Sequence, residues 1–205
     1  MKSIIFFDID RTLFDPNSFL DEFYERLIHK YGLDAGQKAK LIKFYASSKP
    51  KDYFDPQIFL KSISKKFNIE INTIQTLFWD QKLIDKHLYK DTDIFFQIST
   101  KTKMGVFSKG DYKFQKSKLK RFGKLIRNAD IHVFPNKIEK FLEILKNYSD
   151  HNIYLIDDEI DVLSEAKDIN RNIFTILINR KKKHVKNDKI DLQISSLSQI
   201  RKLYE

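Results

Sequence analysis

The sequence of 205 residues contains no cysteine, which excludes disulfides, thiolate metal sites and thiol nucleophiles. Glycine and proline are scarce, at five and four residues, and no low-complexity linker or internal repeat is visible. No apolar run approaches the roughly 18 residues that span a bilayer. The first apolar run begins at Ile4, which leaves no room for a secretory signal peptide. We therefore expect a globular cytoplasmic protein, with no membrane contact, whose chemistry uses oxygen and nitrogen groups.

Acidic residues are few relative to basic ones. The 38 lysines and arginines outnumber 28 aspartates and glutamates, for a formal net charge of +10. Such an excess attracts anionic partners, and phosphorylated metabolites and nucleic acid both qualify. Only the run from Arg180 to Lys183 is dense, and a lysine-rich solvated surface is the more ordinary explanation of the rest. Charge alone therefore does not name a partner, and nucleic acid is possible but not favoured.

Hydrophobic patterning divides the chain into two regions. Residues 15–88 show only helical periodicity and predict an inserted all-helical domain of four helices. Ser18 is predicted to cap the first helix and Gly32 to end it, Asp55 with Pro56 to begin the third, and Asn72 to open a fourth that reaches Ile84. Residues 1–14 and 89–205 instead alternate strands with helices, which is typical of an α/β, doubly wound parallel sheet. The predicted strands are residues 4–7, 104–107, 131–134, 153–156, 173–178 and 191–194.

Polar residues follow four of these strands, at the edge where doubly wound sheets bind ligands. They are Asp8 and Asp10, then Ser108 with Gly110, then Lys137, then Asp157 with Asp158. Taken alone, Asp8 and Asp10 are as typical of a turn as of an active site. Lys140 is an alternative to Lys137. The four sets together are harder to explain as turn residues.

Each of these groups has a task in phosphoryl transfer. A carboxylate can attack phosphorus, and a second carboxyl can protonate the leaving oxygen and then activate water. A hydroxyl, a backbone amide at a glycine turn and an ammonium group can hold phosphate oxygens. Mg²⁺, which prefers oxygen ligands, can offset the charge between carboxylates and phosphate. The sequence therefore predicts a magnesium-dependent phosphate site at this edge of the sheet.

From end to end the chain resembles the haloacid dehalogenase superfamily. The family's first motif, D-x-D-x-T, matches Asp8, Asp10 and Thr12, and its fourth, an acidic pair after a strand, matches Asp157 and Asp158. The second and third motifs match Ser108 and Lys137, while Gln115 and Lys118 also fit the family pattern after the second motif. The insertion lies where the helical-cap subfamily carries its cap. The resemblance implies a Rossmann-like core, 1–14 and 89–205, and a helical cap, 15–88.

The resemblance also implies roles for these residues. Asp8 would be the nucleophile and Asp10 the general acid and base. Ser108 and Lys137 would hold phosphate, and Mg²⁺ would be bound by Asp8, the backbone carbonyl of Asp10 and Asp158. Asp157 stands where many members have glycine and is either a supporting residue or a direct metal ligand. Lys109 replaces an asparagine often found after the second-motif hydroxyl, and is expected to contact phosphate or substrate.

The function implied is a magnesium-dependent phosphomonoester hydrolase that acts on a small phosphorylated metabolite or nucleotide through an aspartyl-phosphate. Dehalogenation is disfavoured, since dehalogenases of this family lack the acidic residue found here at Asp10. A phosphomutase stays open, as does a basic nucleic-acid-binding or end-processing protein with weak or no small-molecule turnover. Lys49, Lys51 and Tyr53 could approach a substrate, but a surface loop is the more ordinary interpretation, and we leave them out of the site.

Overall fold

A computed structural model describes residues 2–49, 53–100, 102–127, 130–181 and 184–203. Six parallel strands form one sheet in the order β3-β2-β1-β4-β5-β6. Their bounds are Lys2–Phe7 (β1), Lys103–Lys109 (β2), Ile131–Phe134 (β3), His151–Asp157 (β4), Phe174–Ile178 (β5) and Leu192–Ile194 (β6). The predicted α/β doubly wound sheet is confirmed, and each predicted strand is present.

The helices fall into an insertion between β1 and β2 and a set that alternates with the later strands. The α-helices are Pro16–Tyr31 (α1), Ala35–Ser47 (α2), Pro56–Phe67 (α3), Ile71–Phe78 (α4), Gln81–Lys86 (α5), Ile94–Ile98 (α6), Tyr112–Lys118 (α7), Phe141–Lys146 (α8) and Ile160–Ile169 (α9). Short 3₁₀ helices cover Lys90–Asp93, Lys120–Leu125, Ile138–Lys140 and Leu197–Leu203. The helical insertion expected after the first strand is therefore confirmed.

Strand β1 lies in the middle of the sheet and is buried on both faces. Ile4 and Phe6 pack into one hydrophobic cluster with residues of α8 and α9. Ile5 and Phe7 pack into a second cluster with residues of the insertion, α6 and α7. This division follows from the two-residue period of a strand. The strand carries the chain directly from the centre of the sheet to Asp8.

The helix starts of the insertion depend on aspartate caps. The prediction that Ser18 caps α1 is wrong, because Asp15 accepts hydrogen bonds from the backbone N–H groups of Asn17 and Ser18. Pro16 then occupies the first turn, where its missing N–H costs nothing. Gly32 ends α1 in a left-handed conformation with φ of 63°, as predicted.

Two further helix predictions differ in accuracy. Asp55 and Pro56 begin α3 as expected. The single helix predicted from Asn72 to Ile84 is instead the pair α4 and α5. Asp80 lies between them, and its carboxylate accepts from the backbone N–H of Lys82. An aspartate inside an apolar helical pattern can begin a new helix. Its carboxylate accepts from backbone N–H groups in the first turn of that helix, which have no carbonyl partner within the helix.

Aromatic rings join the insertion to the sheet domain. The ring of Phe114, on α7, lies 5.8 Å from that of Phe19 and 5.1 Å from that of Phe78, both in the insertion. Helix α6 follows the insertion in sequence, and its Phe95 packs on Phe7 at 4.4 Å between ring centroids. The division into a core of residues 1–14 and 89–205 and a cap of residues 15–88 stays a prediction.

Arg180, the first residue of the dense basic run, forms hydrogen bonds within the protein. The guanidinium of Arg180 donates to both carboxylate oxygens of Asp91, at 3.0 and 3.1 Å, and to the backbone carbonyl of Thr12 at 2.6 Å. Lys181 is exposed, whereas Lys182 and Lys183 lie outside the described residues. Among the helices in the described ranges, none has the length and apolarity to cross a membrane.

Candidate active site

Four strand ends bring the predicted site residues together. Phe7, the last residue of β1, pairs with Val106 on one side and Ile156 on the other, so the residues that follow share one edge. A cavity of about 220 Å³ opens there. Among the strand-end residues predicted from the sequence, those that line it are Asp8, Asp10, Ser108, Lys109, Gly110, Lys137 and Asp158. Asp157 lies beneath it and is fully buried.

Lys137 connects two carboxylates under the cavity. Its Nζ donates to Oδ1 of Asp8 at 2.9 Å and to Oδ2 of Asp157 at 2.5 Å. Burial works to lower the pKa of Lys137, but the two aspartates raise it above its ordinary value, so the group is an ammonium ion. The alternative, Lys140, is exposed and pairs with Glu143 at 3.2 Å. The geometry therefore favours Lys137.

Three carboxylates lie close together at these strand ends. Asp8, Asp157 and Asp158 each offer an oxygen, and these oxygens all lie within 4.8 Å of one another. Burial, with repulsion from Asp157, raises the pKa of Asp158 to about 7. Burial also raises the pKa of Asp8, although Lys137 opposes the rise. Lys137 contacts two of these carboxylates, and Arg11 lies 3.7 Å from the third, Asp158. Two cations therefore face three carboxylates, and hard oxygen donors suit Mg²⁺. The residues present therefore fit the predicted cation.

The carboxylate of Asp10 is not in this acidic group. Its two oxygens accept from residues of α7, with Nζ of Lys118 at 2.6 Å and Nε2 of Gln115 at 2.8 Å. The prediction for Asp10 as a metal ligand concerned its backbone carbonyl and stays a prediction. Sequence reasoning assigned no role to Gln115 or Lys118, although their three-residue spacing places them on the same side of a helix.

Two buried hydroxyls among the motif residues have no hydrogen-bond partner in the described part of the chain. Ser108 Oγ and Thr12 Oγ1 are buried and make no hydrogen bond to any residue that the structure describes. An unsatisfied buried hydroxyl costs roughly 1–3 kcal/mol. Ser108 lines the cavity, so an anionic oxygen bound there would satisfy its hydroxyl. This is the arrangement expected of a phosphate-binding residue.

The insertion covers the other side of the cavity. Tyr45 and Phe54 line it, as do Lys49 and Tyr53, although the sequence favoured a surface loop for these last two. Phe54 packs against Tyr45, with ring centroids 4.8 Å apart, and this contact turns the connection inward, which its composition did not reveal. Lys51 lies outside the described residues.

Solved structures share this architecture over the whole chain. A haloacid dehalogenase-like hydrolase from Burkholderia xenovorans LB400 superposes with a TM-score of 0.77 at 16% identity, covering 99% of this chain and 97% of that one. The chain has the haloacid dehalogenase-like fold. No protein-family model and no curated protein matches its sequence.

Two other structures with this fold differ in what they bind or do. The defluorinating L-2-haloacid dehalogenase Rha0230 has a TM-score of 0.70 at 13% identity, covering 99% of this chain and 95% of that one. The hydrolase YfnB from Bacillus subtilis, bound to magnesium, has a TM-score of 0.64 at 13% identity, covering 100% and 99%. The fold alone therefore does not name the reaction of this chain, which depends on its own residues.

Proposed function

We propose that this protein is a magnesium-dependent phosphomonoester hydrolase that works through an aspartyl-phosphate on Asp8. The observation that carries the proposal is the surroundings of Asp8. Its carboxylate is held by the ammonium of Lys137. The cavity it lines also contains the hydroxyl of Ser108, which has no hydrogen-bond partner among the described residues. A nucleophilic carboxylate beside two groups that bind anionic oxygens suits attack on a phosphoryl group.

The residues support a two-step reaction. The carboxylate of Asp8 attacks phosphorus, a new Asp8–phosphorus bond forms, and the bond to the leaving oxygen breaks as Asp10 protonates that oxygen. Asp10, now a carboxylate, takes a proton from water as the water attacks phosphorus, which releases phosphate and restores Asp8. Lys137 offsets negative charge on Asp8 and on the phosphoryl oxygens. Mg²⁺ held by the acidic residues would supply further positive charge.

A dehalogenase has the same fold, so the residues of the site must decide between dehalogenation and hydrolysis of a phosphate ester. The substrate of a haloacid dehalogenase carries a carboxylate. Asp8, Asp157 and Asp158 would repel it, since Lys137 and Arg11 offset two of their three charges. A divalent cation reverses that charge and favours a phosphate ester. The acidic residue at Asp10, which the family's dehalogenases lack, supports the same choice.

The test is phosphate release from p-nitrophenyl phosphate with Mg²⁺ and with a chelator. We expect turnover only with Mg²⁺, no turnover by Asp8→Asn, and normal turnover by the control Asp188→Asn, which changes an exposed aspartate. Halide release from a 2-haloacid is measured in parallel. Halide release without phosphate release, or full activity of Asp8→Asn, would contradict the proposal.

The cavity limits the substrate. A space of about 220 Å³ holds a phosphoryl group with a small organic part, and the aromatic side chains of Tyr45, Tyr53 and Phe54 close it on the side of the insertion. We therefore propose a small phosphorylated metabolite or a nucleotide as the substrate class. A panel of sugar phosphates, phosphorylated acids and nucleoside monophosphates would rank these by kcat/KM.

A further inference from the structure

Both carboxylate oxygens of Asp10 are engaged by one helix, α7. Oδ1 accepts from Nζ of Lys118 at 2.6 Å, and Oδ2 accepts from Nε2 of Gln115 at 2.8 Å. Gln115 in turn accepts from Lys118 through Oε1 at 2.8 Å. The three side chains form a closed ring of hydrogen bonds that links the loop after β1 to the helix after β2. We call this ring the Asp10 clamp.

The clamp has only one consistent arrangement. Lysine can only donate, so the amide oxygen of Gln115 must face Lys118. The amide nitrogen then faces two acceptors, Asp10 and the backbone carbonyl of Lys109 at 2.8 Å. Gly110 leaves room for it: a Cβ there would lie 2.8 Å from Nε2 of Gln115. The glycine, with φ of 142°, is therefore required by the position of the glutamine as well as by the turn.

Lys118 is an unusual residue to bury. Its side chain is 1% exposed, and its Nζ lies 4.0 Å from the ring centroid of Phe114 and 4.6 Å from that of Phe14. Burial lowers the pKa of Lys118, while the charge of Asp10 opposes that change. A buried ammonium persists only where it is paired. Among the described residues, its hydrogen-bond partners are Asp10 and Gln115.

We infer that Lys118 and Gln115 are positioning residues that hold the carboxylate of Asp10 at the cavity for its acid–base role. The inference rests on the proposed function. A general base must be held within reach of the water it activates, and a freely rotating carboxylate loses much of its effect. Two donors on two oxygens fix both the rotation and the tilt of the group.

A substrate with a good leaving group separates the two steps. With p-nitrophenyl phosphate, the leaving group departs without protonation, so phosphorylation of Asp8 depends little on Asp10. Hydrolysis of the aspartyl-phosphate still needs a base. Loss of the clamp is therefore expected to slow the second step selectively, and the enzyme should accumulate with one phosphoryl group on Asp8.

Stopped-flow kinetics with Mg²⁺ provides the test. For Lys118→Met we expect a burst of p-nitrophenolate close to one per active site, then a steady-state rate on the order of 10- to 100-fold below wild type, within the range of general-base effects. Intact mass after acid quenching should show the added phosphoryl group. Asp10→Asn should behave in the same way, and adding Lys118→Met to Asp10→Asn should cause little further loss. Lys116→Met, on the same helix, is the matched control and should match wild type.

A structural role alone gives a different result. If Lys118→Met merely weakened folding, burst amplitude and steady-state rate would fall in proportion to the folded fraction, and the loss would add to that of Asp10→Asn. Either result would overturn the inference. A crystal structure of Lys118→Met provides a check independent of activity, because an unchanged, single orientation of Asp10 would overturn it too. Absence of phosphate release by wild type would count against the proposed function instead.

Discussion

The guanidinium of Arg180 lies over the ring of Tyr89, 3.6 Å from its centroid. Tyr89 follows the insertion, and the same guanidinium donates to the carbonyl of Thr12 in the loop after Asp8 and Asp10. One side chain from the end of β5 thus joins the two points at which the chain leaves and re-enters the sheet domain.

Replacement of Arg180 by lysine should therefore be harmful although the charge is kept. Lysine cannot form the bidentate contact with Asp91 while also reaching Thr12. We expect a loss of about 2 kcal/mol in the free energy of unfolding, typical of hydrogen bonds to a charged group, and lower activity because the loop carrying Asp10 is less constrained. Urea unfolding measures the first effect. Lys181→Met, at the exposed neighbour, is the control, and equal stability of the two variants would contradict the expectation.

Loss of Lys137 should cost both stability and activity. Its removal leaves Asp8 and Asp157 buried without their shared partner, and breaking a buried ion pair costs roughly 3–5 kcal/mol. We expect Lys137→Met to lose turnover and to unfold at lower urea concentration. Lys140→Met should retain both, since that side chain is exposed. Retained turnover by Lys137→Met would show that another group neutralises Asp8.

The acidic cluster predicts a dependence on pH and metal. The pKa of Asp158 is raised to about 7 in the folded protein, above the unfolded value of about 3.9. The folded state therefore holds its proton more tightly, and metal-free stability falls as pH rises from about 4 through about 7. At pH 8, Asp158→Asn should raise the melting temperature of the metal-free protein.

Mg²⁺ should counteract this loss of stability, and should do so more strongly for wild type than for Asp158→Asn. It should raise the melting temperature of wild type at pH 8, because a ligand that binds the folded state stabilises it, and should raise that of Asp158→Asn much less. Differential scanning fluorimetry with and without a chelator measures both. An equal response of wild type and variant would exclude Asp158 from the metal site, and Asp188→Asn is the control.

Glu22 predicts a second pH effect with the opposite sign. The hydrogen bond from Lys86, at 2.6 Å, with those from Arg26 and His87, lowers the pKa of Glu22 to about 2. The unfolded value is about 4.3, so this contribution is present above that pH and is lost as pH falls toward 2. Solvent screening limits it to about 1 kcal/mol.

Urea unfolding of Glu22→Gln against wild type measures this effect. The stability difference should be largest near pH 7 and vanish near pH 2. Glu165→Gln, at an exposed glutamate, should show no such trend. A difference that stays constant across pH would mean that Glu22 acts through packing rather than charge.

Local sequence determined the central strand, the start of α3 and the shared edge of the polar residues. The buried run from Ile4 to Phe7 predicts a central strand, and aspartate followed by proline marks the start of α3. The order of polar residues after successive strands predicts a shared edge, because parallel strands end on the same side of a sheet. Those patterns depend on neighbours within a few residues, which is why they can be read from the chain.

Contacts between distant residues were decided only by the tertiary structure. Lys118 meets Asp10 across 108 positions of sequence, and Tyr53 lines the cavity because the aromatic core of the insertion turns its connection inward. The sequence marks Asp10 as a polar residue at a strand end and Lys118 as a residue that fits a family pattern, without connecting the two. Packing distinguishes Lys118 from the other lysines, since a lysine excluded from water must be paired with a carboxylate that the fold brings to it.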